Sequence, residues 1–333
     1  MRATPSTRAL VARGLVVLVV TVAGLWVATR GVAGVRPPAV EDVVEGVAPA
    51  RLLLLAAVWL GGLGVYSLVL SAALPGLGPR RGLVLNLSGS AVANAIPLGG
   101  AFATALNWRM LRRWGHSNGA FVSYSLLTNA LDVLAKLALP AVAAATLVAL
   151  SLNVPEVLEI ASAVCGLAIA AVLGLHLWSV RSPSRRRQEA GWRGWAAAVR
   201  TRLRASGRRI DQVVRRRWPV LLGGSAGYVA AQVLLLGLSL HAVGLAVPVT
   251  TVLVAAAIER LGTVVPITPG GVGVAEIGTI AWLVATGLDP ASAVAGVLLY
   301  RVFLVAMEIP VGGAVLAGWA WLQRRTRPLD AAS

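Results

Sequence analysis

Long apolar runs closed by arginines set the pattern of this chain. Residues 14–29, 52–74, 118–152, 157–180, 219–243 and 291–322 are apolar with few interruptions. All but the first reach or exceed the roughly 20 residues that a membrane-spanning helix needs. The first follows Arg2, Arg8 and Arg13 and has the outline of a signal peptide. No small-residue cleavage site follows it, so it is read as an uncleaved span. The run at 118–152 is long for one helix and is expected to kink near Pro140.

Two further runs are apolar but broken. Residues 83–108 are interrupted at Asn94, Pro97, Gly99 and Gly100, with Arg80 and Arg81 before them and Arg109, Arg112 and Arg113 after. Arginine clusters mark the cytoplasmic side, and about 26 residues between two such clusters cannot make two full crossings. A hairpin that enters and returns fits. Residues 248–287 are interrupted by Glu259, Arg260, Pro266, Thr268, Pro269, Gly270, Gly271 and Glu276. Counting crossings, this second broken segment enters from the opposite side. Each half then reads as span, hairpin, span, with reversed orientation, as in many transporters.

The expected fold is an all-α integral membrane protein, an inverted repeat of helices with two re-entrant hairpins. One polytopic domain fills residues 1–333: a first half (1–180), an arginine-rich cytoplasmic loop (181–217) and a second half (218–323). The halves echo each other only as Pro97-Leu-Gly99-Gly100 against Pro266-Ile-Thr-Pro269-Gly270-Gly271, so the symmetry rests on charge placement. Both termini are expected in the cytoplasm.

Composition agrees. Of 333 residues, 57% are hydrophobic and 13% charged, with a mean hydropathy of +0.79, which excludes an ordinary soluble domain. The net charge of +17 is almost all arginine, since Lys136 is the single lysine. A nucleic-acid partner would suit that charge, but the arginines stand at the ends of apolar runs, where they set topology. Thirteen arginines in 181–217 read as an orientation-setting loop, the alternative being a segment that binds anionic lipid or RNA. One cysteine, Cys165, excludes disulfides within the chain, and His116, His176 and His241 have no metal-ligand spacing. No cofactor and no metal are expected.

The candidate chemistry lies in the broken segments. Thr268 suits a helix N-cap and Pro269 the first helical position, with Gly270 and Gly271 leaving amides uncovered. Such a helix start at mid-membrane suits a phosphate or carboxylate; a plain Pro-Gly turn is the alternative. Around it, Arg260, Glu276, Arg301 and Glu308 fall in apolar surroundings. Intramembrane charges mostly face a bundle interior or a cavity, although some of these are expected to be structural ion pairs. Arg301 and Glu308, seven apart, are expected on one helical face. Glu259 and Arg260 are adjacent and are expected to take separate partners. Asp132 and Lys136 are spaced to pair at i,i+4.

Arg260, then Pro266-Ile-Thr-Pro-Gly-Gly-Val-Gly-Val-Ala-Glu276, Gly287 and Leu-Leu-Tyr-Arg301 resemble the lysylphosphatidylglycerol synthase transmembrane family, the flippase-like membrane domain of bacteria and archaea. The resemblance covers about residues 59–321 and is loose at Asn94, Pro97, Gly99 and Gly100. Its better-known members join this domain to a soluble aminoacyltransferase. The sequence ends eleven residues after Leu322, so synthase activity is not expected. The resemblance implies movement of an aminoacylated or other anionic lipid between leaflets, with Arg260, Pro269, Gly270, Gly271, Glu276 and Arg301 at matched positions.

The expected function is therefore a lipid flippase or lipid-headgroup transporter in a prokaryotic plasma membrane. Its substrate would be an anionic, aminoacylated or polyprenyl-linked lipid. In it, Thr268, Pro269, Gly270 and Gly271 with Arg260 or Arg301 hold the phosphate, while Glu276 and Glu308 complement a cationic headgroup or balance the arginines. Asn94, Pro97, Gly99, Gly100, Asp132 and Lys136 form a secondary set. Membrane lipids are the partners, with a separate lipid-modifying enzyme, and nucleic acid is not. The alternative is a secondary transporter of a small soluble solute; a membrane enzyme is disfavoured because no acid/base constellation is visible. A groove open sideways to lipid favours the first class, an enclosed cavity the second.

Overall fold

The computed structural model describes residues 37–96, 99–156, 158–160, 162–167, 192–263 and 273–325. Among them every regular element is a helix: α1 Pro37–Glu45, α2 Pro49–Ala73, α3 Pro79–Ala95, α4 Gly99–Arg113, α5 Asn118–Ala149, α6 Trp192–Ala242, α7 Val249–Gly262, α8 Val274–Ala285, α9 Pro290–Arg301 and α10 Glu308–Arg325, with a π-helical turn Val302–Ala306 between the last two. Four stretches of the described residues are long and apolar enough to cross a membrane: Pro49–Ala73, Asn118–Ala149, Ala205–Ala242 and Pro290–Arg324. The expected span at 14–29 and most of that at 157–180 lie outside the described residues.

Local chemistry explains the helix starts. Proline opens α2, α3 and α9, where its missing N–H costs nothing. The Ser117 side chain caps α5 by accepting the Ala120 N–H at 3.1 Å. Pro140 sits inside α5, which continues past it to Ala149.

α2 and α6 lie antiparallel. Arg51 donates to the Ala242 carbonyl at 2.8 Å, and small residues let the helices approach, with Gly62 against Ala231 and Gly224 against Val69. α3 packs on α10 in the same way: a Cβ at Gly312 would meet the Leu87 carbonyl. Two helical hairpins complete the bundle. In the first, Gly89 of α3 faces Asn107 of α4. In the second, Gly262 of α7 faces Ala275 of α8, and Trp282 donates to the Thr251 carbonyl at 3.2 Å.

Two expectations are corrected. The sequence predicts a loop over residues 181–217 and a span starting at Pro219. The described part is instead helical from Trp192, and α6 runs through Arg217 and Pro219 to Ala242. Arginine and alanine favour helix, and the carbonyl that Pro219 leaves unpaired belongs to Arg215, an exposed residue that water can reach. The last span is not one α-helix, since the π turn interrupts it, with the Met307 N–H donating to the Val302 carbonyl at 2.7 Å.

Two apolar cores result. One gathers α1, the first half of α2 and helices α6 to α9, including Leu55, Leu235, Val254, Ile280 and Val294. The other gathers the second half of α2 with α3, α4 and the start of α5, including Leu70, Leu85, Met110 and Tyr124. A polar cavity has Leu70, Leu85 and Tyr124 of the second core on one side and Leu304, packed on the first, on the other.

Candidate functional site

The cavity holds about 840 Å³. α3 supplies Asn86, Ser90 and Asn94, and Gly99 and Gly100 follow at the start of α4. α5 supplies Asp132 and Lys136; the end of α7 supplies Glu259 and Arg260; Arg301 and Glu308 flank the π turn. Both hairpins thus meet one space near their breaks. Wider π turns often occur at functional sites, and here the turn lies between two charged cavity residues.

Behind the wall is a buried ion cluster. Arg301 donates through Nε to Glu276 Oε1 at 2.6 Å and through Nη1 to Glu259 Oε1 at 3.1 Å. The other Glu276 oxygen accepts the Gly273 N–H at 2.7 Å, which places a carboxylate at the positive end of α8. Gly273 has φ +96°, a conformation that glycine adopts readily. Glu259, Glu276 and Arg301 are all below 8% exposed. Such a cluster persists only when each charge is paired, because removing one partner strands another in low dielectric.

Arg260 donates to the Gln232 side chain, and its Nε lies 3.4 Å from Glu259 Oε2. That oxygen is buried with no hydrogen-bond partner among the described residues. Glu308 accepts from Asn94 Nδ2 at 3.0 Å and has no cation within ion-pair distance among the described residues. Lys136 and Asp132 pair at 2.8 Å, as the i,i+4 spacing predicts. Among the described residues, the cations Lys136, Arg260 and Arg301 and the carboxylates Asp132, Glu259 and Glu308 line the cavity, with Glu276 behind Arg301.

Of the residues expected at the site, Arg260, Arg301, Glu308, Asn94, Gly99, Gly100, Asp132 and Lys136 line this one cavity. Glu276 stands behind it through Arg301. Thr268, Pro269, Gly270, Gly271 and Pro97 lie outside the described residues; the described part of α8 begins at Val274. Glu259 and Arg260 take separate hydrogen-bond partners as expected, Arg301 and Gln232, and also lie within 3.4 Å of each other. Arg301 and Glu308 both line the cavity, with the π turn instead of a continuous α-helix between them, and they take partners on different helices. Sequence reasoning misses Gln232 and Asn86. Each is a lone amide within an apolar run, the same signal that singles out Asp132. No group of potential metal ligands occurs among the described residues.

Among the described residues, four apolar helices long enough to cross a membrane and a polar cavity between them define a multi-pass helical membrane protein. The chain belongs to the lysylphosphatidylglycerol synthase TM region family, whose model matches residues 12–312. No curated protein matches the sequence.

Proposed function

We propose that the protein is a lipid flippase that passes the headgroup of an aminoacylated phospholipid through the polar cavity between leaflets. The observation that carries this reading is the cavity itself, a space of about 840 Å³ with charged walls among helices that are otherwise apolar. Intramembrane charges facing a cavity mark a substrate path by default. Family membership supports a lipid-related role in the membrane.

The charge pattern narrows the headgroup. With the Glu276–Arg301 pair set aside, the described residues offer the cations Lys136 and Arg260 and the carboxylates Asp132, Glu259 and Glu308 to the cavity, which suits a group with both a phosphate and an amine better than a plain anionic or polyprenyl-linked lipid. Arg260 takes the phosphate. Glu308, held by Asn94 and without a cation among the described residues, takes the amine. Glu276 and Arg301 position the wall instead of touching the lipid, since Glu276 accepts from Arg301 and the Gly273 N–H, and Arg301 bridges Glu276 and Glu259.

The two hairpins are re-entrant elements of an inverted repeat in this reading. Their helices hold 17, 15, 14 and 12 residues. At about 1.5 Å per residue none reaches the roughly 30 Å of a hydrocarbon core. The protein sits in a prokaryotic plasma membrane with cytoplasmic termini, performs no chemical step itself, and depends on a separate lipid-modifying enzyme for its substrate.

Reconstituted vesicles test the reading. Fluorescent aminoacylated phosphatidylglycerol placed in one leaflet should reach the other faster than in empty vesicles, and Glu308→Gln should slow it. Movement no faster than in empty vesicles would overturn the flippase. Uptake of the water-soluble deacylated headgroup with no lipid movement would favour the solute transporter.

A further inference from the structure

A second cavity, of about 680 Å³, lies between α5 and α6 and is bounded at one end by the start of α7. Ser225 is the only polar side chain lining it among the described residues. Its rim carries large apolar side chains that are exposed, Leu134, Val142, Leu222 and Leu234 among them. In water such a patch would mark a partner surface; on a membrane-spanning bundle it faces lipid.

The cleft is linked to the polar cavity. A space of about 20 Å³ between them shares Asp132, Lys136 and Gln232 with the polar side and Leu131, Ser225 and Val229 with the apolar side. The Asp132–Lys136 pair therefore stands at the threshold, and half-exposed Asp132 leaves it free to rearrange. The Ser225 hydroxyl at the same threshold is buried with no hydrogen-bond partner among the described residues. A buried hydroxyl without a partner costs free energy that an incoming acceptor recovers.

We infer that this cleft is the slot for an acyl chain of a glycerophospholipid whose headgroup occupies the polar cavity. The inference rests on the flippase reading and extends it. The chain lies against the apolar faces of α5 and α6, an ester carbonyl accepts from Ser225, and the glycerol backbone crosses at the Asp132–Lys136 pair. The order of chemistry along the path, apolar cleft, lone hydroxyl, ion pair, charged cavity, is the order along a phospholipid from tail to headgroup. A soluble solute would have no use for the apolar part.

Photolabelling reads occupancy of the slot separately from transport. The full-length protein in phosphatidylglycerol nanodiscs would carry a trace of aminoacylated phosphatidylglycerol bearing a diazirine in one acyl chain. Label should concentrate on peptides covering 131–142 and 222–238 and exceed that on the outer face of α2, where Leu53 and Leu60 are exposed. Gly237 faces Val252 across the cleft, and a methyl group added there would lie an ordinary 3.5 Å from the valine side chain. Gly237→Ala should therefore leave the label unchanged. Gly237→Phe should fill the cleft and reduce its label about tenfold, equivalent to about 1.4 kcal/mol. Label spread evenly over all exposed apolar faces of the wild type would overturn the slot, whatever the variants do. An unlabelled cleft with lipid still moving would also overturn the slot and leave the flippase standing. A labelled cleft with no lipid movement would support the slot and remove the flippase.

Discussion

The first hairpin brings Asn86, Ser90 and Asn94 to the cavity and no charge; the second brings Glu259 and Arg260, with Glu276 behind them. Their fixings differ accordingly. Arg301 ties α7, α8 and α9 together through two carboxylates. In the first hairpin three neutral groups, Asn86 Nδ2, Ser88 Oγ and Asn107 Oδ1, are buried with no hydrogen-bond partner among the described residues, against Glu259 Oε2 in the second, which lies 3.4 Å from Arg260 Nε, and Asn94 reaches a single carboxylate on α10. Unpaired charge in low dielectric is far costlier than an unpaired amide. The second hairpin is therefore held by paired charges, and the first presents neutral polar groups, several of them without a partner among the described residues.

The largest test of that contrast is Arg301→Ala. It strands Glu259 and Glu276 and should cost about 3–5 kcal/mol, the range for breaking a buried ion pair. Thermal unfolding in detergent reads this, and adding Glu276→Gln should restore part of the loss. An unchanged unfolding temperature would break the contrast. Next, Gly312→Leu forces α10 away from Leu87 of α3. Overpacking of this kind costs roughly 1–3 kcal/mol, and it should loosen the first hairpin while leaving the Arg301 cluster intact. Protection of the α3 and α7 amides in hydrogen exchange separates the two effects.

Glu308→Gln should cost about 1 kcal/mol or less, because the amide oxygen still accepts from Asn94. Lipid movement should fall nonetheless. A stability loss matching that of Arg301→Ala would place Glu308 with the structural charges. The smallest effect lies away from both hairpins. Asp289 caps α9, accepting from the Ser292 N–H at 2.8 Å and hydroxyl at 2.7 Å. These bonds hold its carboxyl below the usual range. Its folded pKa lies below the unfolded one, so the contribution is present above the ordinary aspartate value of about 3.9 and fades as pH falls through the folded value. Asp289→Ala should cost about 0.5 kcal/mol, the low end for an exposed cap, and the cost should vanish in acid.

Much of this architecture is legible in the sequence. Prolines at 49, 79 and 290 announce helix starts, and the breaks after Asn94 and Arg260 announce hairpins, since polar and glycine residues in apolar runs need a polar setting. The site is legible through its charges for the same reason. Partner choice is not. That Arg301 bridges Glu276 and Glu259, and that Glu308 turns to Asn94, depends on the rotation introduced by the π turn at Val302–Ala306, for which the five apolar residues give no signal. The helical run across Arg217 and Pro219 is hidden because proline normally marks a start, and only its exposed partner carbonyl makes an interior position tolerable.

Lipid retained by the purified protein tests the central claim most directly. Native mass spectrometry of gently extracted wild type should find an aminoacylated phospholipid bound. Glu308→Gln, with its stability nearly unchanged, should lose that species selectively. Wild type carrying no lipid, or Glu308→Gln retaining the aminoacylated lipid as well as wild type does, would contradict the cavity as its binding site.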